Sequence, residues 1–183
     1  MDKQSLIDLL NKYNVPIVTW GQGGSKSIEH LLDEINSGES KLEENENGLL
    51  RSVTGIAVNV FYEFDDGILK LVEEKQVFHD GRSRVRELDN SVGEKVRPGE
   101  SPIIAAKRAL AEELEIVEKL EFINYRFEEM APIKSLKGSY PGLNTKRRFH
   151  FFDVYLTESC FQKEGYVEIQ SDKKTFFVWR RIR

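Results

Sequence analysis

Cysteine occurs once, at Cys160, and histidine three times, at His30, His79 and His150. An intrachain disulfide is therefore excluded, and no zinc-ligand spacing can be drawn from so few thiols and imidazoles. Cys160 reads as a small half-buried residue rather than a nucleophile. No apolar run approaches the roughly 20 residues that cross a bilayer. The opening MDKQSLIDLL carries acidic side chains in an amphipathic pattern, unlike a signal peptide. An excess of positive charge is also missing. The 27 Lys and Arg face 31 Asp and Glu, a net charge of −4, which excludes general attraction to nucleic acid or to acidic membranes. The expectation is a soluble, cytoplasmic domain. Its 183 residues, 39% apolar and 32% charged, are enough for a sizeable core.

Apolar spacing predicts two helices at the start. Leu6, Leu9, Leu10 and Tyr13 repeat at helical intervals, and so do Ile28, Leu31, Leu32 and Ile35, with Ser27 as N-cap and Gly38 as stop. Each has one apolar stripe that must dock on something. WGQGGSKS, between them, lacks the glycines of a phosphate loop, because Trp20 and Ser25 stand at those positions; it reads as a turn. Residues 38–50 are polar and read as a loop. Strand texture follows: Ile56, Val58, Val60, Tyr62 and Phe64 alternate, Asp66-Gly67 marks a turn, and ILKLVEEKQVF returns. SRVREL, EFINYRFEEM, RRFHFFDVYL and KTFFVWRRI are further strand candidates. The order of helices and strands predicts an α+β class: an α/β/α sandwich with a mixed sheet, preceded by two N-terminal helices. We expect residues 1–50 to be a helical extension on the same globule and 51–183 to be the main domain.

One helix carries chemistry. In VRPGESPIIAAKRALAEELEI, Ser101-Pro102 is a helix start. Ile103, Ala106, Leu110 and Leu114 form the expected buried stripe. Arg108 and Glu112 are i, i+4 partners, Glu113 lies about 100° further round, and Glu100 precedes the cap. Carboxylates converging from a helix and its leading loop suit Mg²⁺ or Mn²⁺, which take hard oxygen ligands. Such an ion clamps phosphate oxygens and acidifies an attacking water.

This segment resembles the Nudix box. Glu100 takes the first glutamate, Arg108 the arginine, Leu110 an aliphatic position, Glu112 and Glu113 the paired glutamates, and Ile116 the closing aliphatic. The sequence departs from the box at three places. Glu94 stands for the opening glycine, Ala109 for the glutamate after the arginine, and Glu115 for the late glycine. The resemblance implies a divergent Nudix-like subgroup and its fold, with residues 51–183 carrying the domain. It implies Glu112, Glu113 and Arg108 as catalytic residues, and Glu112, Glu113 and Glu100 as ligands of Mg²⁺ or Mn²⁺. The activity implied is pyrophosphohydrolysis of a nucleoside diphosphate derivative. The alternative is an impaired Nudix-fold module that binds a nucleotide-like ligand or a protein partner. A glutamate restored at Ala109 would point into the carboxylate cluster. With a methyl group there, Glu128, Glu129, Glu164 or Glu168 would have to supply a carboxylate.

The expected ligand is a nucleotide-like small molecule. Arg82, Arg84 and Arg86 alternate, so in a strand they share a face. With Lys95, Tyr140 and Arg148, Arg84 and Arg86 are the candidates for holding it, since arginine and aromatic planes suit phosphates and bases. The competing reading of the arginines is a charged strand edge that resists pairing.

Overall fold

The computed structural model describes residues 1–86, 88, 90–134 and 138–182. Among them are three α-helices and nine strands, the α+β class expected. The helices are α1 (Lys3–Lys12), α2 (Ile28–Asn36) and α3 (Pro102–Leu114). The strands are β1 (Ser40–Asn45), β2 (Gly48–Phe64), β3 (Gly67–Phe78), β4 (Ser83–Arg84), β5 (Val92–Lys95), β6 (Phe122–Lys134), β7 (Asn144–Tyr155), β8 (Tyr166–Ile169) and β9 (Lys173–Arg181). The chain forms two compact units. The first holds Met1–Gly55, Lys95–Glu100 and Glu128–Phe149; the second holds Ile56–Glu94, Ser101–Phe127 and His150–Arg183.

In the first unit the two amphipathic helices find their partners. Asp2 caps α1 by accepting from the Ser5 N–H. Ser27 caps α2, and His30 at N3 reaches back in a capping box. Leu6 and Leu10 of α1 and Leu31 of α2 are buried with Val15, Trp20, Leu49, Tyr140 and Leu143. The Trp20 indole N–H donates to the Pro141 carbonyl at 2.9 Å, which ties the expected turn of residues 20–27 to a distant loop. The supposed loop of residues 38–50 contains strand β1, antiparallel to β2 from Ser40↔Val53 to Asn45↔Gly48. Its strand character is hidden because Ser40 is its one buried residue, with Leu42 half-buried between charged neighbours.

In the second unit, Ile56, Val58 and Val60 of β2 are fully buried, as their alternation predicts, and Ala57 between them is buried too. The β2–β3 hairpin closes one residue earlier than expected: Gly67 already pairs with Phe64, which leaves Asp65-Asp66 as the loop. Strand β3 runs antiparallel to β9, with a register shift between Glu73 and Lys75, and β9 runs antiparallel to β8. The expected strand over SRVREL is reduced to β4, and Glu87 lies outside the described residues. Gly165, at φ +84°, leads into β8; a Cβ there would come within 2.0 Å of the Phe177 carbonyl oxygen. Glycine is what lets β8 lie this close to β9. Helix α3 packs on β8. It buries Ala105, Ala106, Ala109, Leu110 and Leu114, whereas Ile103 of the expected stripe is 40% exposed. Three alanines, not an isoleucine, make the inner face, which keeps the helix slim against the strands.

Candidate functional site

Helix α3 begins where the sequence predicts. Ser101 is the N-cap, but its side chain makes no capping bond, and Pro102 occupies the first turn. Its end is sharp although the box's late glycine is missing. Glu115 stops the helix sharply by adopting the left-handed conformation, φ 58° and ψ 23°. Its N–H donates to the Ala111 carbonyl at 3.2 Å, and the Ile116 N–H donates to the Leu110 carbonyl at 3.1 Å. A glycine position is here filled by a glutamate at some cost in backbone strain.

On this helix Arg108 Nη1 donates to Glu112 Oε2 at 3.1 Å, the i, i+4 pair expected. Glu112 is exposed. Ala109 has no exposed surface at all. A glutamate there would have to displace packed neighbours, so it would not simply join the carboxylates.

Glu113 occupies a different environment from Glu112. It retains some accessible surface, yet most of what surrounds it is protein. Burial raises its carboxyl first, then the charges of Glu168 and Glu94; Arg86 opposes them and Glu73 adds to them, and the carboxyl is pushed up to about 9. Three strands supply the three carboxylates among these neighbours. Glu73, 7% exposed on β3, is chelated by Arg86. Arg86 Nε donates to Glu73 Oε1 at 2.8 Å, and Nη2 bonds the second oxygen. Glu94 stands on β5 and Glu168 on β8.

The remaining sequence candidates go elsewhere. Arg84 is exposed on β4, while Arg82 donates to Asp80 through Nε at 2.7 Å. The three alternating arginines thus have three separate surroundings instead of one shared face. Lys95 and Tyr140 meet in the first unit, around Glu34. This buried carboxylate takes bonds from Lys26 Nζ and Lys95 Nζ on Oε1, each at 2.7 Å. On Oε2 it accepts from Arg51 Nη2 at 2.7 Å and Ser40 Oγ at 2.8 Å. Burial pulls its carboxyl upward, but the lysine hydrogen bonds and the Arg51 charge prevail and hold it well below the usual carboxylate range. Tyr140 lies under Arg51, whose guanidinium carbon is 4.9 Å from the ring centre. Arg148 Nε donates to Glu129 Oε2 at 2.6 Å, and Lys146 takes the other oxygen at 2.7 Å. Glu100 belongs to the first unit as well, where its carboxylate accepts from the Arg97 N–H at 2.9 Å.

Among the described residues, no three His, Cys, Asp or Glu side chains stand close enough together to hold one metal ion as they are. The charges that bear on Glu113 are those of Glu168, Glu94 and Glu73, opposed by Arg86, and carboxylate oxygen is the kind of donor Mg²⁺ and Mn²⁺ take. Sequence reasoning did not pick out Glu73 as a neighbour of Glu113. It noted Glu94 only as a departure from the box, and it named Glu168 as one of several outside carboxylates. The signal that could have ranked Glu168 first is YVEI, a four-residue strand after a glycine. Also among the described residues, no helix is long and apolar enough to cross a membrane.

No family model matches the chain, and no curated protein matches it. Among solved structures it is similar to an Ap4A hydrolase of C. elegans, at 14% identity over 71% of this chain and 80% of that one, with a TM-score of 0.42. It is also similar to the E. coli dihydroneopterin triphosphate pyrophosphohydrolase, at 18% identity over 69% and 78%, with a TM-score of 0.41. The E. coli ORF135 protein matches at 22% identity over 69% and 72%, with a TM-score of 0.33. The likeness is one of fold, and no residue's role is read from it.

Proposed function

We propose that the chain is a Nudix-like pyrophosphohydrolase that uses Mg²⁺ or Mn²⁺ to cleave a nucleoside diphosphate derivative. The observation that carries this reading is Glu113, a box glutamate half-buried on α3 whose carboxyl burial and the charges of Glu168 and Glu94 push up. A surface helix with an ordinary charged face would leave both glutamates in water. Here only Glu112 is exposed, and Arg108 steers it.

Glu113 and Glu112 would hold the cation in this reading. When bound, the cation would supply charge to the phosphate oxygens and lower the pKa of the attacking water. Arg108 is a positioning residue: it fixes the rotamer of Glu112 by their ion pair. Arg86 is occupied with Glu73, so its contribution to substrate binding is to shape the cluster's charge; Arg84 is the arginine exposed to a ligand.

The test is turnover. The protein is incubated with a panel of nucleoside diphosphate derivatives and Mn²⁺, and phosphate-monoester products are followed. We expect turnover of at least one, reduced roughly 10²-fold by Glu113→Gln. Absence of turnover across the panel, together with a ligand-dependent melting shift, would replace this reading with that of a binding module.

A further inference from the structure

We propose that one flank of α3 and the chain that follows it form a docking groove for an acidic protein segment that presents large apolar side chains. The groove lies wholly in the second unit, and neither Glu112 nor Glu113 lines it.

Ile104, Lys107, Arg108 and Ala111 stand at i, i+3, i+4 and i+7, so they share a flank of α3. Together with the chain from Ile116 to Phe122 this flank encloses a groove of about 430 Å³. Ile104, Ala111, Val117, Leu120 and Phe122 make its walls apolar. Ile104 is 56% exposed and Val117 85% exposed. Two large aliphatic side chains in water beside a concave apolar wall mark an interaction surface rather than an unfinished core.

The apolar surface runs on beyond the groove. Phe122 meets Phe152 edge-on, with ring centres 5.7 Å apart, and Tyr125 meets the same ring at 5.3 Å. In a regular strand, residues 122 and 125 would point to opposite faces. Asn124, left-handed at φ 52°, shifts the alternation by one and brings both rings to Phe152. Its side-chain amide donates to Asp153 Oδ2 at 2.9 Å, which anchors the shift. Tyr125 also stacks on His150, and Phe127 lies against that imidazole at 4.9 Å. Tyr125 and Phe127 are exposed. From Phe122 to Phe127 the track adds roughly 16 Å at the rise of a strand, further than a small molecule seated in the groove extends. The length calls for a chain.

Charge says which kind. Lys107 and Lys119 line the groove, and neither has an ion-pair partner among the described residues. Arg108 adds a third cation, paired with Glu112. Glu118 is the one carboxylate in the lining, and it is engaged by its own chain: it accepts from Thr157 Oγ1 and Ser159 Oγ, each at 3.1 Å. A second copy of this chain would set lysine against lysine, and a flat bilayer would not fill a groove. Aliphatic walls suit side chains better than the flat bases of a nucleic acid. An acidic segment meets both demands, with apolar side chains in the groove and along the rings, and carboxylates on Lys107 and Lys119.

The experiment selects peptides from a random displayed library on the full chain, then measures the strongest binder by fluorescence anisotropy. Selected sequences should combine Asp or Glu with large apolar residues. Ile104→Asp with Val117→Asp should weaken that peptide about tenfold or more, and Lys107→Glu with Lys119→Glu roughly fivefold. Val18→Asp, an exposed apolar residue of the first unit, should leave its affinity unchanged. Should the first pair fail to fold, Val117→Asp alone decides: affinity equal to native overturns the proposal. No enrichment, selected peptides without acidic residues, or unchanged affinity in either double variant overturns it too. So does tighter binding of acidic vesicles or of a single-stranded oligonucleotide than of every selected peptide.

Discussion

Glu34, buried in the first unit, and Glu113, half-buried in the second, are glutamates held in opposite ways. Around Glu34 the chain gathers Lys26, Lys95, Arg51 and the Ser40 hydroxyl, so both oxygens are bonded. Around Glu113 it gathers Glu168, Glu94 and Glu73, with Arg86 already engaged by Glu73. The first arrangement offsets desolvation and stabilises the fold; the second leaves desolvation unbalanced. An unbalanced carboxylate is a candidate for function rather than for stability. The two carboxylates differ in the company each keeps: cations surround Glu34, and the charges of further carboxylates bear on Glu113.

Three substitutions probe the difference, in falling order of effect. Glu34→Gln leaves Arg51 and two lysines beside a neutral amide, and should cost about 3–5 kcal/mol, measured by denaturant unfolding. A loss below 1 kcal/mol would mean that the cluster is idle. Glu113→Gln should act in the reverse sense. Its carboxyl rises from an ordinary 4.5 to about 9 in the fold, so its favourable contribution is complete below pH 4.5 and is lost as pH climbs towards 9. In chelator, the variant should match the native chain at pH 4 and exceed it at pH 7 by at most about 3 kcal/mol. Glu34 has the opposite sign: its folded pKa is depressed, so its contribution is present above the ordinary 4.5 and lost as pH falls below it. Melting temperature against pH in the two variants should therefore converge on the native curve at acid pH for both, from below for Glu34→Gln and from above for Glu113→Gln. The smallest effect belongs to the backbone. Glu115→Gly relieves the left-handed C-cap of α3 and should stabilise by about 1 kcal/mol; a destabilised variant would show that the Glu115 side chain has a role of its own.

Much of the fold was legible in the sequence because periodicity reports burial. The stripes of α1 and α2 and the alternation of β2 each named residues that are buried. Failures came where burial is sparse or the element is short. Strand β1 shows one buried residue, and β8 spans four positions. The site divided along the same line. Arg108, Glu112 and Glu113 are local in sequence, so their helix spacing fixed the ion pair in advance. Glu73 and Glu168 reach Glu113 only through strand register and helix packing, which no local spacing encodes. Lys95 and Tyr140 illustrate the converse. Their residue types suited a ligand, but the charge of Glu34, distant in sequence from both, claims them for the first unit's interior.

The most direct test of the central claim is the melting temperature of the native chain and of Glu113→Gln across a Mn²⁺ titration at pH 8. A cation that binds the fold alone stabilises it by about 2.7 kcal/mol at a hundred times its Kd. The native chain should therefore gain several degrees, and Glu113→Gln, higher at the outset, should gain almost nothing. An equal rise in both proteins, or no rise in either, would show that the carboxylates around Glu113 are not a cation site.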